Sequence, residues 1–171
     1  MAAHNERPVI FPLSNPTANS ECTAQEAYDW TDGRVIFASG SPFGDVAHGG
    51  ATYAPSQCNN MFVFPGLGLG VTLAGAKTVS DRCLYQCAVA LSGALTEDET
   101  ARGQVFPSVS RIREVSHRVA IAAARQAFEE GHATKVDGDL MSPLNPGALE
   151  TLVKKKMYEP VYVPLVHYLI D

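Results

Sequence analysis

The sequence predicts an α/β fold built on an incomplete parallel sheet, with a helix-rich C-terminal portion. Three features carry this reading. Val9 to Leu13 and Val35 to Ala38 are apolar runs without polar alternation, the pattern of strands buried on both faces. Between them, Thr23 followed by Glu26 forms a capping-box signature that opens a short helix through Trp30. From Val109, apolar Ile112, Val115, Val119, Ala122 and Ala123 recur at helical spacing.

Taken in order, the first strand leads into Ser14-Asn15-Pro16-Thr17, and the capped helix stops near Asp32-Gly33, where glycine accepts a left-handed turn. Strand, helix and strand together make a right-handed parallel unit. Phe43 to Ser56, with its glycines and Pro55, reads as a loop returning to the sheet edge. Asn59 and Asn60 then open an apolar helix over Met61 to Ala76. Ser80-Asp81 starts a helix through Ser92, and Thr96 with Glu99 caps a brief one ending near Gly103. The long helix runs to about Glu130 with Arg111, Arg118, Arg125 and Glu129 outward, and Gly131 stops it. Beyond His132 come a Gly/Pro-rich loop, a short helix around Ala148 to Lys155, and an aromatic segment, Met157 to Leu169. Its Tyr158, Tyr162, Val163 and Tyr168 are expected to pack on a surface of this chain or a partner. The chain divides at residue 131, into residues 1–131 and a tail, residues 132–171. Two strands are too few for a stable open sheet, so further strands are expected from elsewhere.

Composition narrows the function. A formal net charge of −5, with Lys154-Lys155-Lys156 as the one basic block, gives no footprint for nucleic acid. Met61 to Ala76 falls short of the roughly 20 apolar residues that cross a bilayer and contains Pro65, so no membrane insertion is expected and the chain reads as soluble. The start, Met1 to Phe11, carries no targeting pattern. Cys22, Cys58, Cys83 and Cys87 do not form a disulfide framework or a zinc set; Cys83 and Cys87 read as buried thiols on one helix face.

Two segments are candidates for ligand contact. Asn15 follows a parallel strand, at the sheet edge where ligands collect, and its neutral amide can both donate and accept; an Asn-Pro turn is the plainer alternative. Gln57-Cys58-Asn59-Asn60 stands at the expected helix start, where free N–H groups suit an anion and one asparagine can serve merely as a cap. Ser39-Gly40-Ser41-Pro42 follows the second strand and faces the same crevice, with weaker support. Gly66-Leu67-Gly68-Leu69-Gly70 lacks the third glycine of a dinucleotide fingerprint, since Val71 stands in its place; close helix packing explains it better. No Gly-x-Ser-x-Gly elbow is present, and His48, His117, His132 and His167 lie in unrelated contexts, so no catalytic residue is assigned.

The stretches Pro8-Val9-Ile10-Phe11-Pro12-Leu13-Ser14-Asn15-Pro16-Thr17, Glu21-Cys22-Thr23-Ala24, Trp30-Thr31-Asp32-Gly33-Arg34, Phe37 through Phe43, Gln57-Cys58-Asn59-Asn60, Phe64-Pro65-Gly66 and Phe106-Pro107 resemble malic enzymes in order and spacing, over about residues 7–130. The resemblance implies the C-terminal part of a Rossmann-like NAD(P)-binding domain. It implies oxidation and decarboxylation of L-malate to pyruvate and CO2, with NAD or NADP and Mg²⁺ or Mn²⁺. By the same resemblance Asn15, Asn59 and Asn60 contact malate, and Ser14 and Asn15 lie on the nicotinamide side. The family's tyrosine acid, lysine base, malate-binding arginine, metal ligands and nucleotide fingerprint precede the segment matched here, so no metal ligand is assigned. The expected partner is the missing N-terminal region or a chain carrying it, with homo-oligomers implied and a cytoplasmic or mitochondrial setting. Cys58 stands where the family usually has glycine, and its side chain is expected to crowd the pocket or alter its entrance. The competing expectation is a catalytically dead truncated scaffold or interaction subunit.

Overall fold

A computed structural model of the chain describes residues 1–142, 144–145 and 147–162. The sheet has three parallel strands rather than two: β1 (Val9–Ile10), β2 (Ile36–Ser39) and β5 (Ser56–Gln57), in the order β1-β2-β5. Val9 pairs with Ile36 and Ile10 with Phe37, while Ala38 pairs with Ser56 and Ser39 with Gln57. All three carboxyl ends therefore point the same way.

Helix α1 (Ala24–Trp30) begins at Thr23 as expected. The Glu26 N–H donates to the Thr23 hydroxyl at 3.2 Å, and the Thr23 N–H donates to the Glu26 carboxylate at 2.8 Å. These bonds occupy amides that a helix start would otherwise leave unpaired. Gly33, at φ +72°, turns the chain into β2. Burial corrects the first strand: Val9, Phe11 and Leu13 are exposed (49%, 38% and 51%) while Pro8 and Pro12 are buried, so alternate side chains face solvent and one face of this segment is uncovered. The central β2 does bury its Phe37, Ala38 and Ser39.

The expected loop over Phe43 to Ser56 is instead mostly a hairpin, β3 (Val46–His48) and β4 (Ala51–Tyr53), closed by Gly49 and Gly50 at positive φ. Paired left-handed residues match the twist of a two-residue hairpin turn. Tyr53 stacks on Tyr28 with ring centroids 4.6 Å apart, and the His48 ring lies between Asp29 (3.2 Å) and Asp32 (3.4 Å). Those contacts fix the hairpin to the end of α1, over a core of Ala27, Tyr28, Val35, Phe37 and Val46.

The helical layer comprises α2 (Phe64–Ala74), α3 (Asp81–Ser92), α4 (Glu97–Ala101), α5 (Ile112–Glu129), α6 (Gly138–Met141) and α7 (Ala148–Lys156). Ser80 caps α3, Thr96 and Glu99 form the expected capping box of α4, and Gly131 at φ +70° follows α5. Cys83, Cys87, Leu91, Val115 and Val119 share one core, and Ala120, Ala124, Leu149 and Val153 share another.

Within α2, added Cβ atoms would stand 2.6 Å from the Ser116 carbonyl oxygen at Gly66 and 2.4 Å from that of Ala120 at Gly70. Gly66 and Gly70 thus form the close seam between α2 and α5, while Gly68 lies away from it. Arg111 departs from its expected outward place: it bridges Glu99 at 2.7 Å and Glu114 at 2.9 Å. Helix α6 lies inside the segment read as loop. Tyr158 and Tyr162 are exposed and so do not pack on this chain's own surface, which leaves them open to a partner; the remainder of the expected aromatic tail, Val163 to Leu169, lies outside the described residues.

Candidate functional site

The site is assembled by the three loops that leave the sheet at its carboxyl edge. The ladder continues past the strands: the Gly40 N–H donates to the Pro12 carbonyl at 2.9 Å, and the Cys58 N–H donates to the Ser39 carbonyl at 2.8 Å. Glycine is required at position 40, because a Cβ there would lie 2.4 Å from the Leu13 carbonyl oxygen and 2.9 Å from Asn15 Nδ2. Gln57 Nε2 donates to the Gly40 carbonyl at 3.1 Å and ties the end of β5 to the same turn.

Asn15 lies on this edge with its amide oriented by two neighbours. Its Nδ2 donates to the Leu13 carbonyl at 3.3 Å, and its Oδ1 accepts from the Ser41 hydroxyl at 2.7 Å. A carbonyl can only accept, so the pair sets which end of the amide faces which neighbour. One Nδ2 hydrogen remains open to solvent. Ser14 is engaged with Glu21: its hydroxyl donates at 2.8 Å and its N–H at 3.3 Å to the carboxylate. The Ser14 hydroxyl, followed by backbone N–H groups, holds the Glu21 carboxyl below its ordinary range.

On the other side of β2, Asn59 has extended backbone and caps a 3-10 turn, Asn60–Phe62. Its Oδ1 accepts from the Met61 N–H at 3.0 Å, leaving both Nδ2 hydrogens available. The expected helix start at Asn59-Asn60 is corrected here, since α2 begins at Phe64 and the asparagines belong to the tighter turn before it. Asn60 is exposed and makes no side-chain hydrogen bond with the described residues. Cys58 is half-buried beside them, and burial pushes its thiol up from the ordinary value. Both amide oxygens are thus occupied internally while N–H donors remain, so the edge suits an acceptor-rich ligand.

Sequence reasoning gave Ser41 little weight and did not reach the Gln57 contact. The signal available for Ser41 was its place directly after a parallel strand. His117 is half-buried, its Nε2 lying 3.0 Å from the Glu150 carbonyl oxygen. Among the described residues no group of three or more His, Cys, Asp or Glu side chains could hold a metal ion. Gly66 and Gly70 are closed against α5, and the run lies inside α2 rather than in a strand-to-helix turn, so it offers no cradle for a pyrophosphate. A cavity of about 510 Å³ lined by Glu6, Arg34, Ile36 and Tyr53 sits at the opposite, amino end of the sheet. No described helix is long and apolar enough to cross a membrane.

The family model described as "Malic enzyme, NAD binding domain" matches residues 1–128. The chain is 46% identical to an NADP-dependent malic enzyme of Dictyostelium discoideum over 162 residues, covering 95% of this chain and 28% of that protein. It is 45% identical to a chloroplastic NADP-dependent malic enzyme of Oryza sativa subsp. japonica, covering 95% of this chain and 24% of that one. The crystal structure of malic enzyme from Pyrococcus horikoshii Ot3 superposes with a TM-score of 0.61 at 28% identity, over 86% of this chain and 28% of that one. The chain therefore spans about a quarter of the length of the curated relatives it matches. Its fold, an incomplete Rossmann-like α/β sheet with flanking helices, agrees with these matches, and the chain belongs to the malic enzyme family through that family's NAD binding domain.

Proposed function

We propose that this chain forms part of an oxidoreductase that converts L-malate to pyruvate and CO2 with NAD or NADP, and that it contributes one wall of the substrate site. The observation carrying this reading is the pair of asparagines at one sheet edge, each with its amide oxygen occupied by a neighbour and with at least one Nδ2 hydrogen not used among the described residues. Parallel strands are spaced about 4.8 Å apart, so the loops after β1 and β5 stand roughly 10 Å apart. A small dicarboxylate held between two amide donors can bridge that gap.

In this reading the Asn15 and Asn59 N–H groups orient the carboxylate and hydroxyl oxygens of malate. Asn60 shapes the same wall, and Ser14 and Asn15 line the nicotinamide side. Orientation of C2 toward the nicotinamide accelerates transfer by proximity, whereas a neutral amide is no useful general base. The dinucleotide, when bound, accepts the hydride. The same reading places its nicotinamide end at this edge, and the names of the relatives favour the NADP form. The described residues do not fit Mg²⁺ or Mn²⁺, so proton transfer and decarboxylation are assigned to no residue of this chain, and it is expected to be inactive alone.

The missing partner is the rest of a malic enzyme, as preceding sequence or as another chain, and homo-oligomers belong to the same proposal. The division between residues 1–131 and 132–171 is retained as its domain organisation. The test is malate-dependent reduction of NAD or NADP with Mg²⁺ or Mn²⁺ by the completed protein. Activity that falls in the Asn15→Ala, Asn59→Ala double variant supports the proposal. A completed protein that binds neither malate nor dinucleotide, and whose protein contacts are unchanged in that variant, would favour a scaffold without catalysis.

A further inference from the structure

We infer that Ser41 is a positioning residue for the substrate wall, acting through Asn15 rather than touching the ligand; the inference rests on the role proposed for Asn15. Ser41 is 3% exposed and its hydroxyl lies 2.7 Å from Asn15 Oδ1, across 26 residues of sequence. Asn15 itself is exposed, and no surrounding side-chain shell would otherwise hold its terminal amide. An amide turned by 180° would set Oδ1 against the Leu13 carbonyl, which can only accept, and would present oxygen instead of N–H to an acceptor ligand, while the Ser41 hydroxyl can bond either end of the amide. The Leu13 carbonyl thus selects the amide face that a carboxylate or hydroxyl oxygen needs, and the buried Ser41 hydroxyl anchors the amide in that position.

The rest of the turn supports this assignment and is independent of the hydroxyl. Ser39 donates its hydroxyl to the Ser41 carbonyl at 2.8 Å, and Gln57 donates to the Gly40 carbonyl. Both acceptors are backbone atoms, so Ser41→Ala removes the contact to Asn15 and leaves the frame intact. Asn15 Oδ1 can then bond to water, which keeps the stability effect small.

The test is a double-mutant cycle on the intact protein that carries this chain, read as the KM for L-malate, kcat and the thermal midpoint. Ser41→Ala is expected to raise the malate KM about three- to tenfold, the scale of one neutral hydrogen bond, with a near-unchanged melting temperature. In an Asn15→Ala background the same substitution should have no further effect on malate. Ser41→Thr, which retains the hydroxyl, should recover most of the affinity. Equal effects of Ser41→Ala in both backgrounds, or no effect in either while Asn15→Ala weakens malate, overturn the inference but leave the proposed role of Asn15 standing. If Asn15→Ala leaves malate binding unchanged, the proposed role of Asn15 and this inference both fall.

Discussion

Replacing Gly70 with alanine should destabilise the chain, while the same change at Gly68, two residues away on the same helix, should stabilise it. Both positions gain about 1 kcal/mol of helix propensity from alanine. At Gly68 the new methyl meets nothing within 4 Å, so that gain stands. At Gly70 it would stand 2.4 Å from the Ala120 carbonyl oxygen and 2.8 Å from the Ala123 Cβ. Ordinary contact is about 3.5–4.0 Å, so α2 and α5 would have to part by roughly 1 Å. The obstruction is backbone, which cannot rotate away. Overpacking of this kind costs about 1–3 kcal/mol, and the long shared seam makes the upper part of that range appropriate. The net loss is then about 1–2 kcal/mol, or a fall of roughly 3–6 °C in melting temperature, against a rise of about 2–4 °C for Gly68→Ala. Thermal and urea unfolding of the two variants beside the parent chain measures this directly. A Gly70→Ala chain as stable as Gly68→Ala would refute the close seam, and with it the reason for rejecting the glycine run as a nucleotide loop.

Thr23→Ala should cost about 1 kcal/mol through loss of the α1 cap, seen as a lower urea midpoint at unchanged m-value. Glu99→Gln should cost about 2 kcal/mol at neutral pH, since it breaks charged bonds to Arg111 and to the Ser108 and Thr96 N–H groups. Burial pushes the Glu99 carboxyl up, but those N–H groups and the guanidinium outweigh it and hold the carboxyl below its ordinary range. Its contribution is therefore complete above the ordinary carboxylate pKa and lost as pH falls through the lowered one. Unfolding midpoints of parent and variant should accordingly converge in acid; a constant gap down to pH 2 would contradict the assignment. The Cys87 thiol, pushed up to about 12 by burial, should resist a thiol reagent at pH 8 in the folded chain, while half-buried Cys22 and Cys58 react. Mass spectrometry of labelled peptides distinguishes them.

The parts of this fold legible in sequence are those governed by short-range chemistry. Thr23-Glu26 and Thr96-Glu99 declare two helix starts because capping joins residues three apart, and Ser80 declares a third. The apolar period of α5 was equally plain. The hairpin was missed although Gly49-Gly50 between short strands is its signal; the polar and small residues around it concealed the alternation. Strand β5 is only Ser56-Gln57, and its pairing comes from its place beside β2 rather than from apolar character. Arg111 defeated the outward expectation because Glu99, twelve residues earlier, draws it inward. At the candidate site, Asn15 and Asn59 could be named from their segments. The Ser41 hydroxyl on Asn15 and the Gly40 approach to Leu13 could not, because no spacing rule links residues brought together only by a parallel sheet.

The most direct measurement is a crystal structure of the completed protein with L-malate and dinucleotide bound. The account predicts that the Nδ2 atoms of Asn15 and Asn59 each lie about 3 Å from a ligand oxygen, with Asn15 Oδ1 still accepting from Ser41. Malate bound away from the carboxyl edge of β1 and β5, or met there by amide oxygens instead of N–H groups, would contradict it.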